Sequence, residues 1–143
     1  MTAHHARRVP VHKGPAAWSS ILPGQPAPVP LAENITADVA VVGAGFAGLS
    51  AARRLLQLDP TLKVVVLEAG RVAEGASGRN SGFMIDLPHD LASDDYAGSG
   101  DDRAVIDLNR QAIGFALSAA EEYAIPRDFV DPVGKVNGAS SIG

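Results

Sequence analysis

Gly43, Gly45 and Gly48 form a G-x-G-x-x-G arrangement, and the acidic residue Glu68 follows the last of them by twenty positions. Gly43 permits a tight turn, Gly45 lets the main chain approach a diphosphate, and Gly48 lets a helix pack closely on a strand. The carboxylate of Glu68 can accept hydrogen bonds from the 2′ and 3′ hydroxyls of a ribose, and it would repel a 2′-phosphate. The spacing therefore predicts a dinucleotide site of the kind that excludes an NADP-type ligand.

The elements around these residues are those that such a site requires. Val39–Val42 is a short apolar run typical of a strand, and Leu49–Leu58 is a helical stretch. A second apolar strand over Val64–Leu67 ends just before the acidic residue. The N–H groups and positive dipole end of a helix that starts near Phe46 would hold the diphosphate. The alternative is a tight turn in an unrelated βαβ unit.

Composition describes a modest globular chain without the charge that nucleic acid or an anionic membrane attracts. The chain has 143 residues, 46% of them hydrophobic, and a formal net charge of −4. Its pI is near 5.4 and its mean hydropathy is +0.09. No apolar stretch is long enough to span a bilayer. The absence of cysteine excludes disulfides, thiol catalysis, cysteine zinc sites and a cysteinyl flavin link.

Residues 1–36 predict an extended arm with partial polyproline character. The arm contains four closely spaced prolines, Pro23, Pro26, Pro28 and Pro30. Trp18 and Ile21-Leu22 would anchor this arm to an apolar patch, and a mobile tail is the alternative reading.

Two groups of residues in the arm are compatible with a metal site and with an export signal, and we assign neither function to the arm. His4, His5 and His12 have no neighbouring residues that would complete a metal site, so no metal is expected. Arg7-Arg8 is followed by a polar, proline-broken sequence instead of an apolar region, so we do not interpret it as an export signal. The expected location is the cytoplasm.

The part of the chain beyond Glu68 is less regular. A loop of small residues leads to a short apolar segment over Phe83–Leu87, and Leu91–Asp102 is a polar loop with four acidic residues assigned to a solvated surface. Asp101 or Asp102 is placed to cap the next helix. A strand could start around Lys135-Val136.

That helix is predicted over Arg103–Tyr123, ending before Ile125-Pro126. One face carries apolar residues at helical spacing: Ile106, Ile113, Leu117 and Ala120. Further apolar residues broaden this face: Val105, Leu108, Ala112 and Phe115.

The two strands and the loop Gly75–Gly82, which reads G-A-S-G-R-N-S-G, together resemble the D-amino-acid oxidase-like family of FAD-dependent oxidoreductases. Within that family the chain is most similar to bacterial amine and amino-acid oxidases of the gamma-glutamylputrescine oxidase kind. The resemblance is strong over Ala37–Gly82 and limited to general layout over Leu91–Tyr123. It implies an α/β fold, a Rossmann-type FAD/NAD(P)-binding domain. FAD is expected to be non-covalent, because Arg79-Asn80 stands where a linking histidine would be expected.

The resemblance also implies which residues bind FAD. The diphosphate would lie on Gly43, Gly45, Phe46, Ala47 and Gly48. Around the adenosine the family places Glu68 at the ribose, Ala69 beside the adenine and Arg71 near the adenosine or phosphate. The loop residues along the phosphates and ribityl chain would be Ala76, Ser77, Arg79, Asn80 and Ser81. Those near the flavin ring would be Gly82, Phe83 and Met84. For Arg79 the alternative is an exposed loop arginine.

The function that the resemblance implies is FAD-dependent oxidation of the CH–NH group of a small amine or amino acid. No catalytic residue can be assigned. His89 could approach the substrate side of the flavin, and a plain loop histidine is the favoured alternative. Complete family members are much longer, so we expect an N-terminal fragment that lacks most of the substrate domain and is inactive alone. A stand-alone, non-catalytic nucleotide-binding module is the alternative. A fragment of an NAD-dependent dehydrogenase is disfavoured by the Gly75–Gly82 loop.

The expected organisation is an arm over residues 1–36, an FAD-binding βαβ unit with the flavin loop over 37–90, and a helical segment with the truncated start of a substrate domain over 91–143. The sequence does not indicate the oligomeric state.

Overall fold

A computed structural model describes residues 11, 13–24, 26–87 and 100–134, with side chains described from residue 103 onward in the last range. These residues belong to two compact units, divided between Ser81 and Gly82. The expectations for His4, His5, His12, His89 and the strand around Lys135-Val136 lie outside the described residues. The helices and strands are α1 (Ala17–Ile21), β1 (Val39–Val42), α2 (Phe46–Leu58), β2 (Val64–Leu67) and α3 (Gly100–Glu122).

β1 and β2 pair in parallel, and both occupy the residues that the sequence predicts. The register runs from Val39 opposite Val64 to Val42 opposite Leu67. Beyond the last pair, the Gly43 N–H donates to the Leu67 carbonyl oxygen at 2.7 Å. The strand pair therefore continues into the glycine turn, and the βαβ prediction is confirmed.

α2 connects the two strands and packs against both of them. It begins at Phe46, where the sequence predicts the start of a helix that would hold the diphosphate, and Gly45 is its extended N-cap with φ −86° and ψ −173°. It ends at Leu58, and the N–H of the capping residue Asp59 donates to the Leu55 carbonyl oxygen. The Asp59 carboxylate then accepts hydrogen bonds from the N–H and hydroxyl of Thr61, which stabilises the predicted turn.

α3 is the long helix of the second unit and begins at Gly100, so the predicted polar loop through Asp102 is wrong at its end. The helix stops as predicted before Ile125-Pro126. Ala124 takes the left-handed conformation with φ 51°, and the Ile125 N–H donates to the Ala120 carbonyl oxygen at 2.8 Å. This is the Schellman arrangement, in which the turn satisfies carbonyls that the helix end leaves open.

The predicted face of α3 is confirmed at its centre and corrected at its edges. Ile106, Ile113 and Leu117 are half-buried, and Ala120 is buried. Three residues expected to broaden this face are exposed: Val105, Leu108 and Ala112. Along the described part of the chain, each helix is too short or too polar to cross a lipid bilayer.

Candidate functional site: the dinucleotide turn and its loop

The turn after β1 depends on the missing side chains of two glycines. Gly43 has φ +101°, a conformation that residues with a Cβ rarely adopt. A Cβ on Gly48 would collide with the carbonyl oxygen of Gly43 and lie 3.3 Å from Cγ1 of Val41. The start of α2 can therefore lie against the end of β1 only because both positions are glycine.

Glu68 follows β2 directly, and two backbone amides hold its carboxylate. Oε2 accepts a hydrogen bond from the Ala44 N–H at 2.8 Å, and Oε1 accepts one from the Gly70 N–H at 2.9 Å. These bonds, the one from Ala44 first, lower the pKa of Glu68, while slight desolvation acts in the opposite direction. Each oxygen keeps a lone pair that a hydroxyl donor can use. The result is an ionised, oriented acceptor beside the glycine turn.

Ser77 lies against the first amide of α2, although it is 31 positions away in the sequence. The Phe46 N–H donates to Ser77 Oγ at 2.9 Å, and a Cβ on Gly45 would lie 2.8 Å from the same oxygen. The first hydrogen bond within α2 is made by the Leu49 N–H to the Gly45 carbonyl. The next amides of the helix end, those of Ala47 and Gly48, have no acceptor within α2 and suit an anion.

The loop that carries Ser77 is itself ordered. A 3-10 turn spans Ala76–Gly78, and the Ala73 N–H donates to the Ala44 carbonyl oxygen at 3.0 Å. The Asn80 side-chain amide donates to the Ser77 carbonyl oxygen. The loop is thereby connected to the turn after β1, so the structure brings Ser77 and Glu68 to the same turn.

Arg79 contacts other groups of the protein. Its Nε donates to the Glu74 carbonyl oxygen at 2.9 Å, and its Nη2 lies 3.1 Å from Glu74 Oε1 and 2.8 Å from the Gly14 carbonyl oxygen. The guanidinium is therefore oriented by Glu74 and by the arm. A role of Arg79 at the phosphate stays a prediction.

The roles of the remaining predicted residues stay predictions. Those exposed in the first unit are Ala47, Ala69, Arg71, Ala76 and Ser81. Gly82, Phe83 and Met84 belong to the second unit, where they line an open cavity of about 740 Å³. Ile113, Leu117 and residues 129–134 form other parts of the cavity wall.

The sequence predicts Trp18 as an anchor of the arm, but sequence reasoning missed Ala16 and the partners that both residues have in the loop of residues 73–80. Ala16 is fully buried, and its N–H donates to Glu74 Oε1 at 2.8 Å. Trp18, which lies in the unpredicted helix α1, donates from Nε1 to the Asn80 carbonyl oxygen at 2.9 Å. These partners are 58 and 62 positions apart, beyond the reach of any local pattern. The available signal was the single tryptophan of the chain within a proline-rich arm.

Comparison with known proteins adds the family. Residues 38–141 match the family described as FAD dependent oxidoreductase. The chain belongs to this family. FAD is therefore the cofactor, and the resemblance seen in the sequence is confirmed. No solved structure matches the chain.

The residues of the first unit fit the adenosine diphosphate part of FAD. The glycine turn leaves room where a Cβ would collide, the start of α2 presents amides, and Glu68 presents a fixed carboxylate. Amides suit a diphosphate, and a carboxylate suits ribose hydroxyls.

Three relatives show what the chain is similar to. Gamma-glutamylputrescine oxidoreductase of Escherichia coli is 53% identical over 55 residues, covering 38% of this chain and 12% of that protein. The probable oxidoreductase OrdL of Haemophilus influenzae is 39% identical over 102 residues, covering 70% of this chain and 23% of that protein. The mitochondrial L-2-hydroxyglutarate dehydrogenase of Dictyostelium discoideum is 48% identical over 48 residues, covering 33% of this chain and 11% of that protein. The aligned regions thus span less than a quarter of each of these relatives.

Proposed function

We propose that this chain supplies the dinucleotide-binding part, Rossmann-type in fold, of an FAD-dependent oxidoreductase that acts on the CH–NH group of a small amine or amino acid. FAD is held without a covalent bond. The observation that carries the proposal is the Glu68 carboxylate, fixed by the N–H groups of Ala44 and Gly70 beside the glycine turn.

The geometry at Glu68 supports a ribose with free hydroxyls. A carboxylate whose orientation is already set can accept two hydroxyl hydrogen bonds without losing side-chain freedom on binding. Its lowered pKa keeps it ionised near neutral pH, so a 2′-phosphate at the same place would be repelled. These properties are compatible with FAD, and they disfavour a 2′-phosphorylated dinucleotide.

The choice of an amine substrate rests on the relatives. The Escherichia coli relative is named for gamma-glutamylputrescine, whereas the Dictyostelium relative is named for L-2-hydroxyglutarate. Both align with short regions of this chain, so similarity of this extent is found in proteins named for different substrates. The much longer alignment with OrdL adds an oxidoreductase without a named substrate. Bound FAD supplies the hydride acceptor, while the described residues of this chain bind and orient it.

FAD titration of three variants tests the proposal. Glu68→Ala removes the ribose acceptor, and we expect FAD affinity to fall at least about 10- to 100-fold, because even one hydrogen bond to a charged group is worth about 1.5–3 kcal/mol. Glu68→Gln retains one acceptor oxygen and should weaken binding less. Glu121→Gln changes an exposed glutamate of α3 and should leave affinity unchanged. Binding is measured by quenching of flavin fluorescence, and equal affinity in Glu68→Ala and the unmodified chain would contradict the proposal.

A non-catalytic nucleotide-binding module is the second candidate. It is favoured by the location of the described contacts, because the glycine turn, Glu68 and Ser77 all suit the adenosine diphosphate half of a dinucleotide. Purified protein that is yellow and binds FAD more tightly than ADP supports the oxidoreductase. Colourless protein that binds ADP and FAD equally supports the module. NADH binding without FAD retention would instead support a dehydrogenase fragment.

A further inference from the structure

Residues 13–22, here called the strap, lie on residues 73–80, here called the flavin loop. Within the strap, Ala16 is the most enclosed residue, with 0% of its surface exposed. Its N–H donates to Glu74 Oε1 at 2.8 Å, and a Cβ on Gly78 would come within 2.9 Å of the Ala16 Cβ. The strap and the flavin loop are therefore in direct van der Waals and hydrogen-bond contact.

Two further hydrogen bonds connect the same segments. Trp18 Nε1 donates to the Asn80 carbonyl oxygen at 2.9 Å, and Arg79 Nη2 donates to the Gly14 carbonyl oxygen at 2.8 Å. Glu74 is the common partner, since its Oε1 contacts both Ala16 and Arg79. The contacts are spread along the loop from residue 74 to residue 80, so they restrain its whole length.

The flavin loop in turn contacts the turn of residues 43–45 after β1, here called the nucleotide turn. Ser77 lies between the loop residues that the strap contacts, and its Oγ accepts the hydrogen bond of the first amide of α2. Gly78, the next residue, is buried against Ala16 and Ala73. A displacement of the strap would therefore release the segment that carries Ser77.

We propose that the strap is a positioning element that holds the flavin loop in its binding conformation before FAD arrives. Ordering the loop in advance removes an entropy loss that binding would otherwise include. The proposal rests on the proposed function, because the benefit of an ordered loop is tighter FAD binding. Its positioning residues are Ala16, Trp18 and Glu74, none of which is assigned a contact with FAD.

The first experiment measures the loop without any ligand. Hydrogen–deuterium exchange is followed for a peptide covering residues 73–80 in the full chain. Trp18→Phe keeps an aromatic ring and removes the indole N–H donor, and Glu74→Ala removes the acceptor shared by Ala16 and Arg79. Glu74→Gln retains an acceptor oxygen, and Val29→Ala alters a 93% exposed arm residue outside the strap.

The expected order of exchange rates follows from the contacts removed. Exchange in the loop should rise about threefold in Trp18→Phe and about tenfold in Glu74→Ala, with partial rescue in Glu74→Gln and no change in Val29→Ala. If exchange in both Trp18→Phe and Glu74→Ala equalled that of the unmodified chain, the proposal that the strap orders the flavin loop would be overturned.

The second experiment titrates FAD into the same variants. FAD affinity should fall by factors in the same order as the exchange rates rise, and Val29→Ala should bind normally. FAD bound equally well by the unmodified chain and all variants would overturn the positioning role while leaving the proposed function intact. An unmodified chain that binds no FAD would overturn the proposed function and the positioning role with it, whatever the exchange experiment shows.

Discussion

Two helical glycines, Gly48 in α2 and Gly114 in α3, occupy opposite environments. A Cβ on Gly48 would collide with the Gly43 carbonyl oxygen, whereas a Cβ on Gly114 would meet nothing within 4 Å. Position 48 in the first unit thus requires glycine, because the backbone of Gly43 occupies the space that a side chain would need. Position 114 in the second unit has glycine although a side chain would fit there. Close backbone approach is a property of the nucleotide turn and is not shared by α3.

The largest expected effect tests this comparison directly. Gly48→Ala should lower the free energy of unfolding by about 2–3 kcal/mol, because the new methyl group forces the start of α2 away from the end of β1. Gly114→Ala should raise it by about 0.5–1 kcal/mol, because alanine is the better helix former. Urea unfolding is followed by the fluorescence of Trp18, the single tryptophan of the chain, and by helical circular dichroism. Two changes of the same sign would contradict the comparison.

The features that could be predicted from the sequence are those set by residues close together in the chain. β1, β2 and the position of Glu68 follow from local patterns, because a parallel strand pair with one crossover helix fixes them within thirty residues. The sequence could also place Ser77 in a cofactor loop through the family resemblance. That resemblance could not show that Ser77 Oγ accepts a hydrogen bond from the Phe46 N–H, since this contact depends on the folded loop.

The missed features depend on distant partners. α1 is only five residues long and has no side-chain cap, so its own sequence hardly favours a helix. It is held by Glu74 and Asn80, about sixty positions later. The early start of α3 at Gly100 was missed for a different reason, because glycine and two aspartates are poor helix formers and typical of a loop.

A smaller effect is expected at the end of α3. Ala124 has φ 51°, a left-handed conformation that costs a residue with a Cβ about 1 kcal/mol relative to glycine. Ala124→Gly should therefore stabilise the helix end by about 0.5–1 kcal/mol, part of the gain being offset by the greater freedom of glycine in the unfolded chain. The measurement is the urea midpoint of helical circular dichroism.

The matched control is Ala119→Gly, which places glycine inside the same helix and should destabilise it by about 1 kcal/mol. If both variants were destabilised, the left-handed turn at Ala124 would not hold in solution. A stabilised Ala124→Gly variant would show that the backbone at position 124 favours glycine although the sequence has alanine there. At position 48, by contrast, the backbone requires glycine and the sequence has it.

The smallest expected effect is a difference between the two units in the residue that makes their stability depend on pH. Backbone N–H groups of Ala44 and Gly70 hold the pKa of Glu68 below its ordinary value, and Arg110 lowers the pKa of Asp86 in the second unit. The stabilisation from either group is fully present above its ordinary pKa and is lost as the pH falls through its lowered folded-state pKa. Because Glu68 is exposed, solvent screening limits its contribution to less than about 1 kcal/mol.

Acid unfolding between pH 7 and pH 2 measures this difference. Glu68→Gln should flatten the acid dependence of Trp18 fluorescence and leave the helical signal of α3 nearly unchanged. Asp86→Asn should do the reverse, because Asp86 accepts a hydrogen bond from Arg110 Nε at 2.9 Å in the unit that contains α3. Curves that coincide with the unmodified chain in both variants would show that these carboxylates do not contribute to acid sensitivity. A change confined to Glu68→Gln would locate that sensitivity in the nucleotide turn, where we propose that the same carboxylate accepts hydrogen bonds from the ribose hydroxyls.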